Sequence, residues 1–221
     1  MSSVELQVLD DPAAAAAELL AHAVRRGGHV AVAGGSTVVP VFRRVAELAP
    51  DWSTVDLWWG DERAVAPDDE RSNFLLARTE LLDRLQTPPR VVHRIEGELG
   101  AEEAAGRYDA ALAGVPLGLA VNGIGADGHT ASLFPNGPEL DERARRVVAT
   151  TAQLEPFVPR VSLSIPAFEA TGLLVYVAVG ANKAEAVRRA FAEEPSPATP
   201  ASLVRGRQTL ALVDAAAASQ L

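Results

Sequence analysis

The sequence predicts an α/β protein with a single doubly wound, mostly parallel sheet and helices on both faces. One reason is that short apolar runs alternate along the chain with helical stretches, the pattern of βαβ units. Another is that runs such as residues 55–59 carry apolar side chains on both faces, as covered parallel strands do. The 221 residues fit one large domain, and the proline-rich residues 195–200 lie too near the end to separate two. Residues 1–221 are therefore expected to form one domain.

The first half of the chain is predicted to contain three strand–helix units. Asp11 and Pro12 suit the N-cap and the first position of an alanine-rich helix, which Gly27 ends. Pro40 is compatible with the second helix because it falls in the first turn. The predicted strands are residues 4–9, 29–33 and 55–59. The predicted helices are residues 12–26, a helix that the loop of residues 34–37 opens and that runs to about residue 48, and residues 73–85. Between them, residues 60–72 are predicted to form a long polar loop.

The second half repeats the alternation. Its predicted strands are residues 91–95, 117–121, 146–150, 161–164, 173–179 and 209–213, and its helices are residues 101–112 and 183–192. In doubly wound folds, ligands lie beyond the carboxyl ends of the strands. The loops that follow strands are therefore where functional residues are expected.

The composition argues against several classes of function. A net charge of −9 argues against broad binding of nucleic acid or of an anionic membrane, because both require a basic face. The chain has no cysteine, which fits a reducing compartment, and the first residues lack an export signal, so we expect a cytoplasmic protein. No run of 18 apolar residues indicates membrane insertion. We expect a monomer or a small homo-oligomer.

The loop Gly34-Gly35-Ser36-Thr37 allows two interpretations. Glycines let backbone N–H groups approach an anion, the hydroxyls add donors, and a following helix adds a positive dipole, so the loop suits a phosphate. The same residues are also favoured in a tight turn that caps a helix. The residues alone leave both interpretations open.

Charged residues Asp61, Glu62 and Arg63 directly follow the buried strand at residues 55–59. Three adjacent charges are usually a solvated turn, but here they lie where a site is expected. An arginine suits bidentate contact with phosphate or carboxylate, and a carboxylate suits proton transfer or the positioning of a histidine. Asn73, at the start of the next helix, is predicted to line the same site.

The stretch NGIGADGHT, residues 122–130, fits the glycine spacing of a dinucleotide site but favours catalysis. Pro135 comes seven residues after Gly128, so only about one and a half helical turns fit before it, too few for the helix that such a site needs. A histidine titrates near neutrality, and a nearby helix start would favour its neutral form, so His129 suits a general base. Asp127 is placed to orient its ring or to stabilise its protonated state.

Several motifs together resemble the 6-phosphogluconolactonase family. They are GGST, WWGDER with RSN ten residues on, GIGADGHTASLFP, PRVSLSIPAF and GANKAEAVRRA, which run in order from about residue 30 to 190. The wider superfamily also includes glucosamine-6-phosphate deaminase, which is similar at GGST, at the acidic pair and at DGH. The Asp-Glu-Arg triplet and the DGHTASLFP continuation are more similar to the lactonase branch.

The resemblance implies a role for each matching position. His129 would be the general base that activates water, supported by the carboxylates Asp61, Glu62 and Asp127. The 6-phosphate would be held by Arg63, by Lys183, which is the only lysine, by the backbone of residues 34–37 and by Arg160 as a further candidate. The resemblance implies no cofactor and no metal. Val38 and Asn122 depart from the family pattern without removing a reactive group.

Three functions stay open from the sequence. The first is hydrolysis of 6-phospho-D-glucono-1,5-lactone, the second is a deaminase or isomerase reaction on an amino-sugar phosphate, and the third is a non-catalytic sugar-phosphate sensor. No G-x-S-x-G motif surrounds a serine, so an acyl-enzyme route through Ser132 is disfavoured. The four histidines lack the spacing of metal ligands.

Overall fold

A computed structural model describes residues 3–48 and 50–221 of the chain. Its strands are β1 (Val4–Val8), β2 (Gly28–Val32), β3 (Val55–Trp59), β4 (Asp61–Arg63), β5 (Val91–His93), β6 (Leu117–Gly123), β7 (Val147–Thr150), β8 (Arg160–Leu163), β9 (Leu173–Ala178) and β10 (Gln208–Val213). Its helices are α1 (Pro12–Arg26), α2 (Val39–Glu47), α3 (Asn73–Glu80), α4 (Ala101–Leu112), α5 (Ile165–Glu169), α6 (Ala184–Phe191) and α7 (Pro200–Leu203).

Seven strands form a parallel sheet in the order β1-β10-β9-β6-β2-β3-β5. From β2 the chain runs outward through β3 to β5, then returns to the other side of β2 and runs outward through β6, β9 and β10. The direction of winding therefore reverses between β2 and β6. This reversal makes the point beyond the carboxyl ends of β2 and β6 the expected ligand site.

Helices cover both faces of the sheet, as predicted. Successive strand side chains point to opposite faces, so the adjacent Trp58 and Trp59 show what lies on each side. The Trp58 ring meets Tyr108 of α4, with 5.5 Å between ring centroids. The Trp59 ring meets Phe74 of α3 at 5.6 Å. Both tryptophans are fully buried, and the predicted α/β class is confirmed.

The capping residues and prolines in the sequence predicted the starts of α1 and α2 correctly. The Asp11 carboxylate accepts a hydrogen bond from the Ala14 N–H at 3.0 Å, and Pro12 takes the first position of α1. The helix predicted from the GGST loop begins as a single 3-10 turn, Ser36–Val38, and continues as α2 with Pro40 in its first turn. Helix α3 ends at Glu80, earlier than predicted, and a separate turn follows at Leu82–Arg84.

A second, three-stranded sheet was not predicted. Strands β7 and β8 pair antiparallel with each other, and β8 pairs antiparallel with β4. The prediction of a loop throughout residues 60–72 is therefore wrong at its beginning. Only residues 151–159 connect β7 to β8, and such a short connection without a helix permits antiparallel pairing but not a parallel crossover. Within the described residues, no helix is long and apolar enough to cross a membrane.

Candidate active site

A cleft of about 170 Å³ opens where the winding of the sheet reverses. The loops after β2 and β6, the strand β4 and the start of β8 meet around it, together with the residue that precedes α6. These elements are far apart in sequence. The predicted site residues that line the cleft are Gly34, Gly35, Ser36, Thr37, Asp61, Arg63, Asn73, His129, Arg160 and Lys183.

His129 and Asp127 form a pair at the cleft. The Nδ1 atom of His129 lies 2.6 Å from a carboxylate oxygen of Asp127, which also accepts the His129 backbone N–H at 3.2 Å. Because a carboxylate accepts, Nδ1 carries the proton, which leaves Nε2 as the acceptor nitrogen. About a quarter of the His129 side chain is exposed.

The pKa of Asp127 lies below its usual range. Partial burial acts to raise this pKa, but the hydrogen bond and the charge of His129 outweigh it. Residues 124–135, all of them described, form turns and no helix. The expectation that a helix dipole would keep His129 neutral is therefore wrong, and it is the hydrogen bond to Asp127 that sets the tautomer of the ring.

Gly125 shows why this loop is rich in glycine. A Cβ atom at Gly125 would lie 2.0 Å from the Nδ1 atom of His129, so only glycine leaves room for the imidazole. The Gly125 N–H donates to the His129 carbonyl at 2.8 Å, and the Thr130 hydroxyl donates to the Gly123 carbonyl at 3.0 Å. Gly125 therefore allows the loop to pack closely against the His129 ring.

The Gly34–Thr37 loop forms one wall of the cleft. Gly35 has a φ of +89° and precedes the 3-10 turn, which has no side-chain cap, and neither Ser36 nor Thr37 caps α2. The alternative interpretation, a turn whose Ser or Thr caps the helix, is therefore wrong. A Cβ atom at Gly34 would lie 1.9 Å from Oδ1 of Asn73, so this glycine permits a close approach between the loop and the start of α3.

Three cationic side chains line the cleft. Arg63 of β4 and Arg160 of β8 are directly opposite each other in the antiparallel pair. Burial and then the charge of Arg63 lower the pKa of Arg160 from its usual value. Burial also lowers the pKa of Lys183, and Asp127 opposes this effect. Within the described part of the chain, none of the three forms a salt bridge, although carbonyl oxygens accept hydrogen bonds from both arginines.

Glu62 points away from the cleft and holds the start of α3. Its carboxylate accepts the backbone N–H groups of Asn73 and Phe74, each at 2.7 Å, and the Ser72 hydroxyl at 3.0 Å. It is 2% exposed, and burial raises its pKa although the accepted hydrogen bonds oppose the rise. Glu62 therefore places Asn73 at the cleft, and the hydrogen bonds of its carboxylate hold the start of α3 and not the His129 ring.

Asp61 faces the cleft and has two partners. The Ser132 hydroxyl donates to its Oδ2 atom at 2.7 Å, and the Asn73 amide donates to its Oδ1 atom at 3.2 Å. Ser132 is fully buried, so it is not placed to act as a nucleophile. Sequence reasoning considered Ser132 only in that role and missed its bond to Asp61. No local signal connects two residues 71 positions apart.

The fold and the cleft define a doubly wound α/β protein with a histidine–carboxylate pair beside a cleft lined by cationic side chains. A sequence profile of glucosamine-6-phosphate isomerases/6-phosphogluconolactonase matches residues 5–212. The 6-phosphogluconolactonase of Streptomyces coelicolor is 36% identical, over 94% of this chain and 89% of its own. The chain belongs to the glucosamine-6-phosphate isomerase/6-phosphogluconolactonase family, which confirms the resemblance predicted from the motifs.

Solved structures agree with this assignment. The 6-phosphogluconolactonase of Thermotoga maritima superposes with a TM-score of 0.83 at 28% identity, over 96% of this chain and 100% of that one. A monomeric glucosamine-6-phosphate deaminase superposes with a TM-score of 0.86 at 19% identity, over the whole of both chains. The second similarity concerns the fold alone, so the fold does not separate the two branches of the family.

Proposed function

We propose that this chain hydrolyses 6-phospho-D-glucono-1,5-lactone to 6-phosphogluconate by general-base activation of water. The activity follows from the family: relatives from Streptomyces coelicolor and from Nostoc, 36% and 33% identical over most of the chain, are 6-phosphogluconolactonases. The chain is an enzyme of that kind. The observation that carries the mechanism is the His129–Asp127 pair beside a cleft lined by three cations that form no salt bridge with any described residue.

In the proposed mechanism, the free Nε2 atom of His129 takes a proton from water while the water oxygen attacks the lactone carbonyl. Asp127 stabilises the imidazolium that forms. When the tetrahedral intermediate collapses, the bond between the carbonyl carbon and the ring oxygen breaks, and the imidazolium returns its proton to the leaving oxygen. A general base of this kind increases the rate roughly 10²- to 10⁴-fold, which is adequate for an electrophilic lactone.

The phosphate group of the substrate would lie against Arg63, Arg160, Lys183 and the backbone of residues 34–37. Like charges directly opposite each other on paired strands destabilise a sheet, and a doubly charged anion between the two arginines would remove that repulsion. Charge-assisted hydrogen bonds to arginine are strong and directional. An anion held there keeps the lactone ring within the same cleft as His129 and so positions it for attack.

The proposal is tested by following the opening of freshly generated phosphogluconolactone, corrected for its spontaneous hydrolysis. We expect a large enzyme-dependent rate, and a kcat/KM roughly 10²-fold lower for unphosphorylated glucono-1,5-lactone, because each lost charge-assisted contact costs about 1.5–3 kcal/mol. Glucosamine 6-phosphate serves as the second substrate. Release of ammonia from it, without faster opening of the lactone, would favour the deaminase branch, and binding of both compounds without turnover of either would favour a sensor.

A further inference from the structure

Asp61 is a second carboxylate on the wall of the cleft, and the mechanism above does not use it. It is 5% exposed, yet its side chain is among those that line the cleft. The Nδ1 atom of His129 is already engaged by Asp127 at 2.6 Å. The hydrogen bonds of the Asp61 carboxylate go instead to Ser132 and Asn73. Asp61 is therefore held independently of the general base.

The two partners of Asp61 fix its carboxylate in one orientation. Ser132 is fully buried, and its single hydroxyl proton is directed at Asp61. The Asn73 amide group donates both to the Asp61 backbone carbonyl, at 3.0 Å, and to its carboxylate. On the other side of this amide, Oδ1 packs against Gly34, so its nitrogen faces Asp61. Both partners donate, which leaves the carboxylate as an acceptor.

A carboxylate has about four acceptor positions, and in Asp61 two of them accept hydrogen bonds from Ser132 and Asn73. The remaining positions require hydrogen-bond donors. A phosphate offers no donor when ionised and is repelled by a carboxylate, whereas a sugar ring offers hydroxyl groups. The cleft also contains Arg63, Arg160 and Lys183. Its cations therefore suit the phosphate of a sugar phosphate, and the fixed carboxylate of Asp61 suits a hydroxyl group of the sugar ring.

We propose that Asp61 is the specificity-determining acceptor for a ring hydroxyl of the lactone, and that Ser132 and Asn73 are positioning residues that hold its carboxylate. This inference rests on the proposed lactonase function and extends it to substrate choice. A site built to bind a hydroxyl rejects an analogue that lacks it, because the polar group of the protein is then left unpaired.

The test compares the parent phosphogluconolactone with its 2-deoxy, 3-deoxy and 4-deoxy analogues. For the wild type, we expect kcat/KM to fall roughly 10- to 100-fold for one of the three analogues, the range of a lost hydrogen bond to a charged group. Asp61→Asn is expected to lower kcat/KM for the parent by a similar factor and to change it less than about threefold for that analogue. Ser132→Ala should show the same selective loss with a smaller amplitude.

Ser164→Ala is the matched control. Ser164 is also a fully buried serine whose hydroxyl makes one short hydrogen bond, at 2.6 Å to the Arg145 carbonyl, and it lies outside the cleft. It is expected to leave the ratio between parent and analogue unchanged, whatever its effect on stability. This ratio distinguishes positioning from folding, because a general loss of active protein lowers both rates equally.

Two outcomes would overturn the inference while leaving the lactonase function intact. In one, the wild type opens the parent and all three deoxy analogues at equal rates. In the other, Asp61→Asn and Ser132→Ala lower turnover of every analogue by the factor seen with the parent, which would assign Asp61 to the chemistry itself. A wild type that does not accelerate opening of the parent lactone would instead contradict the proposed function.

Discussion

Two clusters of histidine and aspartate lie at opposite ends of the central sheet, and only one of them faces a cationic cleft. At the amino end, Asp56 accepts a hydrogen bond from Arg90 at 2.8 Å and lies 3.4 Å from Nε2 of His93. The Trp58 indole donates to His29 at 3.1 Å and stacks on the His93 ring with 3.9 Å between centroids. This cluster satisfies its own charges and polar groups.

At the carboxyl end of the sheet, the cationic side chains are not paired with carboxylates in the same way. Asp127 is engaged by His129, while Arg63, Arg160 and Lys183 line the same cleft without a carboxylate partner in the described part of the chain. The same residue types thus form a structural cluster where the protein neutralises them and a candidate active site where charge is left for a ligand. The two clusters therefore differ in the charges that surround the His–Asp contact and not in the contact itself.

The largest expected difference between the two ends is in turnover. His129→Gln removes the proposed general base, so kcat for phosphogluconolactone should fall roughly 10²- to 10⁴-fold. His93→Gln, the matched substitution in the amino-end cluster, should leave kcat within about twofold of wild type. Initial rates corrected for spontaneous opening measure both. Equal losses of kcat in the two variants would mean that the carboxyl-end cluster has no more part in catalysis than the amino-end cluster.

Asp127→Asn tests the partner of the proposed base. An amide does not neutralise the imidazolium, and it can present an N–H to Nδ1 and so favour the wrong tautomer. We expect kcat to fall roughly 10- to 100-fold, the loss of one charge-assisted hydrogen bond, with little change in KM. Steady-state kinetics with the purified variant decide this. A raised KM at unchanged kcat would place Asp127 in substrate binding instead.

Lys183→Met keeps the length of the side chain and removes its charge. The KM for the phosphorylated lactone should rise roughly tenfold, while kcat/KM for glucono-1,5-lactone should stay the same, because that substrate has no phosphate. Arg90→Met at the amino end is the control, since Arg90 pairs with Asp56 and lies outside the cleft. If both lactones were affected alike, Lys183 would have no special part in phosphate binding.

The smallest effect is expected at Asp56. The hydrogen bond from Arg90 lowers the pKa of Asp56 despite its burial. A depressed folded-state pKa stabilises the folded protein above the ordinary value of 3.8, and this contribution is lost as the pH falls through the lower folded-state value. At pH 7, Asp56→Asn should therefore reduce the free energy of unfolding by about 1 kcal/mol, since Arg90 is largely exposed.

Urea unfolding of the wild type and Asp56→Asn between pH 3 and pH 7 measures this effect. The two stability curves should converge at the acid end, and turnover of the variant should match that of the wild type. A difference in stability that stays constant with pH would show that the pKa of Asp56 is not lowered by folding.

Much of the fold and part of the site followed from local patterns. The cap formed by Asp11 and Pro12, the apolar strands and the GADGH loop each depend on residues close together in the chain. The contact between His129 and Asp127 spans two residues, so the motif made Asp127 a candidate partner of the ring and the structure shows the contact. These features were predictable because short-range geometry restricts what a few neighbouring residues can do.

The remaining features were decided by contacts that no local pattern contains. The prediction of a loop missed β4, because a three-residue strand forms only when β8 is beside it. The direct opposition of Arg63 and Arg160, and the bond from Ser132 to Asp61, arise from the same packing. By itself, the sequence predicted the alternation of strands and helices that builds the central sheet and the loop that contains His129 as the candidate catalytic loop. Only the tertiary structure decided which charges meet across the cleft and which are neutralised elsewhere, because electrostatic energy depends on distance in space and not on separation along the chain.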